Sequence, residues 1–282
     1  MSPDLRGSLF MVAAMAGFAV EDSFLKAASR SMPVGQAIAM MGLTGLVVFA
    51  LVARFAGDEV LPRAALSRTM VLRSGFEIIG RLFFALAVAL TPISTASAIL
   101  QATPLVVVLG AALIFGERVG VRRWLLILGG FVGVLIILRP GVAGFSALSL
   151  LALIAMLGFA GRDLATRAAA PALSNAQLGV TGFAMLTLSG LILVALRGGA
   201  LWPDAATLAQ LAGATAFGIL AYAALTEAMR TGQVAVVTPL RYTRLLFALI
   251  IGMTVFGERP DLATLAGSAL IVVCGVLLLS RR

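Results

Sequence analysis

The chain has 282 residues, of which 61% are hydrophobic and 12% charged, with a net charge of +9. A soluble domain carries roughly 25% charged residues, so this composition excludes a water-soluble fold and sets most of the chain against lipid or other apolar helices. With no histidine and one cysteine, Cys274, a disulfide framework, a zinc cluster and a histidine relay are excluded as well; the basic residues sit in short loops, with no basic face of interleaved aromatics, which excludes nucleic acid as a partner.

A spanning helix needs ~20 residues. Ten apolar runs of about that length follow one another, at 8–29, 34–54, 70–90, 92–116, 121–138, 145–167, 174–196, 206–230, 233–256 and 261–280. The first is expected to remain as a helix, because no A-x-A-like signal-peptide cleavage site follows it. It carries Phe18 and ends in the acids Glu21 and Asp22. In the third run Glu77 and Arg81 stand four residues apart with the acid N-terminal, the favourable order for an intrahelical pair. Either the two neutralise each other, or Arg81 faces a cavity where its fork could hold a carboxylate.

The fourth run places Ser94, Ser97, Gln101 and Pro104 at spacings of three, four and three, along one helical face. Pro104 cannot donate to the carbonyl of Leu100, so it kinks the helix and frees that carbonyl for water, a side chain or a solute, or serves packing alone. Gly129 and Gly133 in the fifth run form G-x-x-x-G, which points to close helix packing. Asp163 lies near the inner end of the sixth run; Tyr222 and Glu227 lie in the eighth. Arg241 and Arg244 in the ninth share a helical face with no acid in reach on that helix, so they either snorkel to the interface or pair with Asp163 or Glu227 as an inner gate. Pro33, Pro92, Pro171 and Pro260 stand near expected helix starts.

The chain is internally duplicated. Residues 14–22, A-M-A-G-F-A-V-E-D, return 141 residues later as A-M-L-G-F-A-G-R-D at 155–163, and Phe115-Gly116-Glu117-Arg118 returns at the same offset as Phe256-Gly257-Glu258-Arg259. The plain reading of the F-G-E-R copies is a Gly-terminated helix followed by a tight turn. Five runs per half make the duplication an inverted repeat, with halves 1–141 and 142–282. With a cytoplasmic N-terminus the inner loops and tails hold twelve basic residues and the outer loops five, which favours both termini inside.

Two inverted five-helix halves, each with an F-G-E before a Gly-containing last helix (Gly129 and Gly133; Gly267 and Gly275), resemble the EamA family of the drug/metabolite transporter superfamily, and within it the YddG-type amino-acid exporters. The resemblance implies an all-α integral membrane protein, a basket-like bundle of ten helices around a central cavity, with the fifth and tenth outside the basket. Arg241 and Arg244 depart from it, having no basic counterparts at the equivalent depth of the fourth run.

The expected function is an inner-membrane secondary transporter exporting amino acids and similar amphipathic metabolites, with no cofactor and no metal. Its expected cavity holds Arg81, Ser94, Ser97, Gln101 and Pro104 with the apolar walls Phe18, Phe159 and Tyr222; its gates or ion pairs use Asp22, Asp163, Glu227, Arg241 and Arg244. A carrier for organic anions or nucleotide-like metabolites is the alternative. An intramembrane enzyme is disfavoured for want of H-E-x-x-H, G-x-S-x-G or paired carboxylates, and a channel for want of a filter-like loop.

Overall fold

The computed structural model describes residues 2–115, 120–139, 146–168, 173–231 and 238–279. Gly116, Glu117 and Arg118 of the first F-G-E-R copy, Pro171, and the C-terminal Arg281 and Arg282 lie outside the described residues. The elements are α1 (Pro3–Ala28), α2 (Val34–Phe55), α3 (Arg68–Leu90), α4 (Ile93–Leu100), α5 (Thr103–Phe115), α6 (Val121–Leu138), α7 (Ser149–Ala168), α8 (Asn175–Arg197), α9 (Ala205–Thr231), α10 (Thr243–Phe256) and α11 (Leu262–Leu279). Short 3-10 turns at Arg63–Leu66 and Thr238–Tyr242 precede α3 and α10. Together they make ten spans, because α4 and α5 are two halves of the fourth.

Local chemistry sets the ends. Ser2 and Ser67 accept from backbone N–H groups in the first turns of α1 and α3, and Ser174 with Gln177 forms a reciprocal capping box at α8. Gly257 closes α10 in the left-handed region at φ 65°, as expected of a glycine there.

The fourth run departs from a merely kinked helix: it breaks. Pro104 has no N–H for the Leu100 carbonyl, so the chain turns through Gln101 and Ala102 before α5 begins. The freed carbonyl is satisfied within the chain, by the Thr103 hydroxyl at 2.5 Å. The ninth run behaves similarly, with a 3-10 turn passing into α10 and the Thr243 hydroxyl donating to the Leu240 carbonyl at 2.7 Å. The fourth span breaks, and the ninth enters its helix through a 3-10 turn, at positions related by the 141-residue offset; non-helical backbone at membrane depth is tolerated only inside protein or beside a cavity.

Helix pairing carries the duplication into three dimensions. The main packed pairs are α1 with α9, α3 with α7, α2 with α8, and α6 with α11. A shift by one half exchanges α1·α9 with α7·α3 and maps the other two pairs onto themselves. This is the pattern of a pseudo-twofold axis, and five spans per half lay that axis in the membrane plane.

Close approach in these pairs requires glycine. A Cβ on Gly190 of α8 would lie 2.3 Å from the Ala39 nitrogen of α2, and one on Gly42 would lie 2.4 Å from the Thr187 nitrogen. Gly133 of the G-x-x-x-G meets the Gly267 carbonyl oxygen of α11 at 2.9 Å by the same construction, so the motif packs two helices of one chain. Gly190→Leu should therefore destabilise the bundle by at least the ~1–3 kcal/mol of an overpacked core, seen as a lower melting temperature in detergent. Gly75→Leu, at a position with no neighbour within 4 Å, should leave the transition where it is.

Candidate substrate cavity

A cavity of about 160 Å³ opens beside the break of the fourth span and the 3-10 turn before α10, walled by α1, α2, α3, α4, α5, α7, α8, α9 and α10. It is comparable to the ~150 Å³ that holds a benzene ring, so in this conformation it admits a ring-sized group. Its apolar wall includes Phe18, Phe84, Phe159 and Tyr222. Its polar wall holds Arg81, Arg162, Arg241 and Arg244 against Glu21, Asp22 and Asp163, with Gln101, Thr103 and Pro104 at the break.

A charge at membrane depth costs at least ~2.5–3.5 kcal/mol unless it is paired or hydrated. Glu77 carries most of the pairing here. Fully buried on α3, it stands 3.2 Å from Arg73, 3.1 Å from Arg81 and 3.7 Å from Arg162 of α7, so one carboxylate serves three guanidinium groups across the boundary between the halves. Arg81 pairs within its own helix and also lines the cavity. Phenylalanine rings flank the other side of these cations: Arg81 lies over Phe183 at 5.8 Å and Arg162 over Phe159 at 4.9 Å.

The second pair of arginines is shared out differently from the expected inner gate. Arg244 pairs with Asp22 of α1 at 2.6 Å and is held between Phe18 and Phe84 at 5.2 and 5.1 Å, so neither Asp163 nor Glu227 is its partner. Arg241 stands 3.8 Å from Asp163, whose nearer partner is Arg162 at 2.8 Å. Glu227 is turned outward to Arg6 at 3.0 Å, in a half-exposed bridge at the end of the bundle. The backbone carbonyl of Arg241 accepts from the Gln101 amide at 3.0 Å, which ties the break in the fourth span to the turn before α10.

Of the residues expected at the cavity, Arg81, Gln101, Pro104, Phe18, Phe159 and Tyr222 line it, and Ser94 and Ser97 do not. The two serines share the α4 face of Gln101, whose N–H still bonds the Ser97 carbonyl, but one and two turns before the break that face is buried in packing, and only Gln101 at its end reaches the cavity. Ser94 has a separate role. Its hydroxyl and backbone N–H donate to Glu258, which also accepts from the Ile93 N–H at 2.8 Å and pairs with Lys26 at 3.3 Å. Glu258 is therefore the cap of α4, supplied from the far half of the chain. Sequence reasoning took F-G-E-R for a turn and missed this; the signal was that both copies keep the acid, which a Gly turn does not need.

Around Glu258 the two halves are tied together at one end of the bundle. Lys26 also donates to the Thr91 carbonyl at 2.5 Å, and Lys26 and Arg30 both lie 5.4 Å from the Phe256 ring centre. Beside them Arg139 bridges to Asp261, the N-cap of α11, whose carboxyl is held down to about 2 by the Thr264 N–H and by Arg139.

The duplicated halves and the break in the fourth span beside a central cavity fit a membrane transporter of small metabolites, not an enzyme. Residues 5–139 and 147–281 each match the EamA-like transporter family, and the chain belongs to that family. It is 28% identical over 285 residues to the pseudopaline exporter CntI of Pseudomonas aeruginosa, across 96% of this chain and 95% of that one. It is 28% identical over 275 residues to a riboflavin transporter of Vibrio cholerae, across 95% and 91%, and 23% identical over 202 residues to an S-adenosylmethionine uptake transporter of Rickettsia prowazekii, across 72% and 68%. A solved crystal structure shares the fold with a TM-score of 0.67 at 18% identity, over 97% of each chain.

Glu77→Gln leaves three guanidinium groups without their common carboxylate. Breaking a buried pair costs ~3–5 kcal/mol, so this variant should lose its monodisperse peak in detergent, whereas Glu227→Gln, in an exposed bridge worth ~0–1 kcal/mol, should keep it.

Proposed function

We propose that this EamA-family transporter exports amino acids, aromatic ones included, and similar small amphipathic metabolites by alternating access. It sits in the bacterial inner membrane with both termini cytoplasmic. The observation that carries the reading is Arg241. Its only ion-pair partner among the described residues, Asp163, is 3.8 Å away and already engaged by Arg162, which leaves Arg241 the least committed cation in the cavity, beside Gln101 and facing an aromatic wall. A guanidinium so placed suits a substrate carboxylate, and the wall suits a side chain. The cargoes of the relatives differ from one another, so the shared fold supports the transport cycle and the cavity's own residues support the cargo. The full-length similarity to an exporter supports the direction.

The second reading, a carrier of organic anions, draws on the surplus of arginines over carboxylates in the lining. Against it, Arg244 has the strong partner Asp22.

Counterflow in proteoliposomes separates the two. Amino acids should exchange, and carboxylates without an amino group should not. Apolar walls discriminate weakly, at ~1–3 kcal/mol per missing methylene, so Gln101→Ala should slow all amino acids by similar factors. Unchanged rates in a folded Gln101→Ala protein, or exchange restricted to solutes without an amino-acid backbone, would sink the reading.

The orientation has its own check. A cysteine at Ala200 should react with an impermeant reagent added outside, and one at Val121 should not; the reverse pattern would place both termini outside.

A further inference from the structure

We infer that Glu21 is the group that receives the ammonium of the substrate. The inference rests on reading the cavity as the substrate site, and deepens it. Three carboxylates line that cavity. Asp22 is paired with Arg244 at 2.6 Å and Asp163 with Arg162 at 2.8 Å; Glu21 alone has no cation within 4 Å and no hydrogen bond among the described residues. A carboxylate at membrane depth requires a partner, and a mobile one is needed where the protein supplies none.

The duplication shows how the vacancy arises. Glu21 in the first half stands where Arg162 stands in the second, and Gly218 of α9 stands where Glu77 of α3 stands. Across α7 and α3 the second position meets its partner, with Arg162 3.7 Å from Glu77. Across α1 and α9 the matching contact is made by Glu21 on a bare glycine: a Cβ on Gly218 would lie 2.8 Å from Glu21 Oε1. One interface holds a complete ion pair, while its pseudo-symmetric mate holds the acid alone, against a surface with no side chain to neutralise it. A primary ammonium fits that site: it has three donors, a single charge and a small radius, and the loosely held Arg241, which lines the same cavity, suits the same molecule's carboxylate.

The test is carbodiimide modification of the purified protein at fixed pH, with the reagent in large excess over every added solute and the unmodified Glu21 that remains quantified by mass spectrometry, so that amide formed by an added amine counts as modification. Phenylalanine and phenethylamine, which carry the ammonium, should each slow the modification several-fold. 3-Phenylpropionate, which has the same ring and carboxylate without the amine, should not. In counterflow, Glu21→Gln should remove the preference for phenylalanine over 3-phenylpropionate, and Glu21→Asp should restore part of it, which a purely structural role would not do. Equal protection by 3-phenylpropionate, or modification that responds to pH but to no amine, overturns the inference; the second result would make Glu21 a proton site only. Protection by phenethylamine but not phenylalanine upholds the ammonium site and defeats the amino-acid reading. Protection by none of the three, with amino-acid counterflow intact, defeats the ammonium site and spares the transporter reading.

Discussion

Glu77 is the residue on which the arrangement of charge depends. Its carboxylate is fully buried between two arginines of its own helix and a third from the opposite half of the duplication, and without it Arg73, Arg81 and Arg162 would stand at membrane depth with too little negative charge to oppose them. Low dielectric makes such a cluster strong when complete and costly when incomplete. The complete cluster also determines which other charges are left over. Arg162 is shared between Glu77 and Asp163, so Asp163 has little to offer Arg241; Arg244 is taken by Asp22; and Glu21 has no cation within 4 Å among the described residues. The cavity thereby presents one loosely held cation and one unpaired anion, set in an aromatic wall.

Much of the fold was legible in the sequence because bilayer thickness imposes length, and length can be counted. The ten runs and the 141-residue offset needed no knowledge of packing, and the glycines that let α2 meet α8 and α6 meet α11 sit within those runs. The charge pairing was less legible. Asp22 and Arg244 are 222 residues apart, and their contact follows from α10 crossing α1, which no periodicity reveals. Arg6 and Glu227 are similarly joined by the packing of α1 on α9.

The serines mark a different kind of limit. Spacing of three and four residues defines a face only while the helix continues, and Pro104 ends that continuity one turn after Ser97. At the break Leu100, Gln101 and Thr103 reach the cavity, and nearly two turns before it Ser94 serves Glu258. The repeated acid of F-G-E was visible as a repeat, but its task of capping a half-helix from the other half could be read only in three dimensions.

Alternating access about the pseudo-twofold axis is the central claim, and it requires the two ends of the bundle to move oppositely. At one end Glu258 of the second half holds Lys26 and Ser94 of the first in a latch. The direct measurement is electron–electron distance spectroscopy on spin labels placed across each end: Arg30 with Arg259 at the latched end, and Arg6 with Arg122 at the other. Adding a transported solute should lengthen one distance while the other shortens, and Glu258→Gln should shift both populations toward the state open at the latched end. Distances that stay fixed, or ends that open together, would contradict the account.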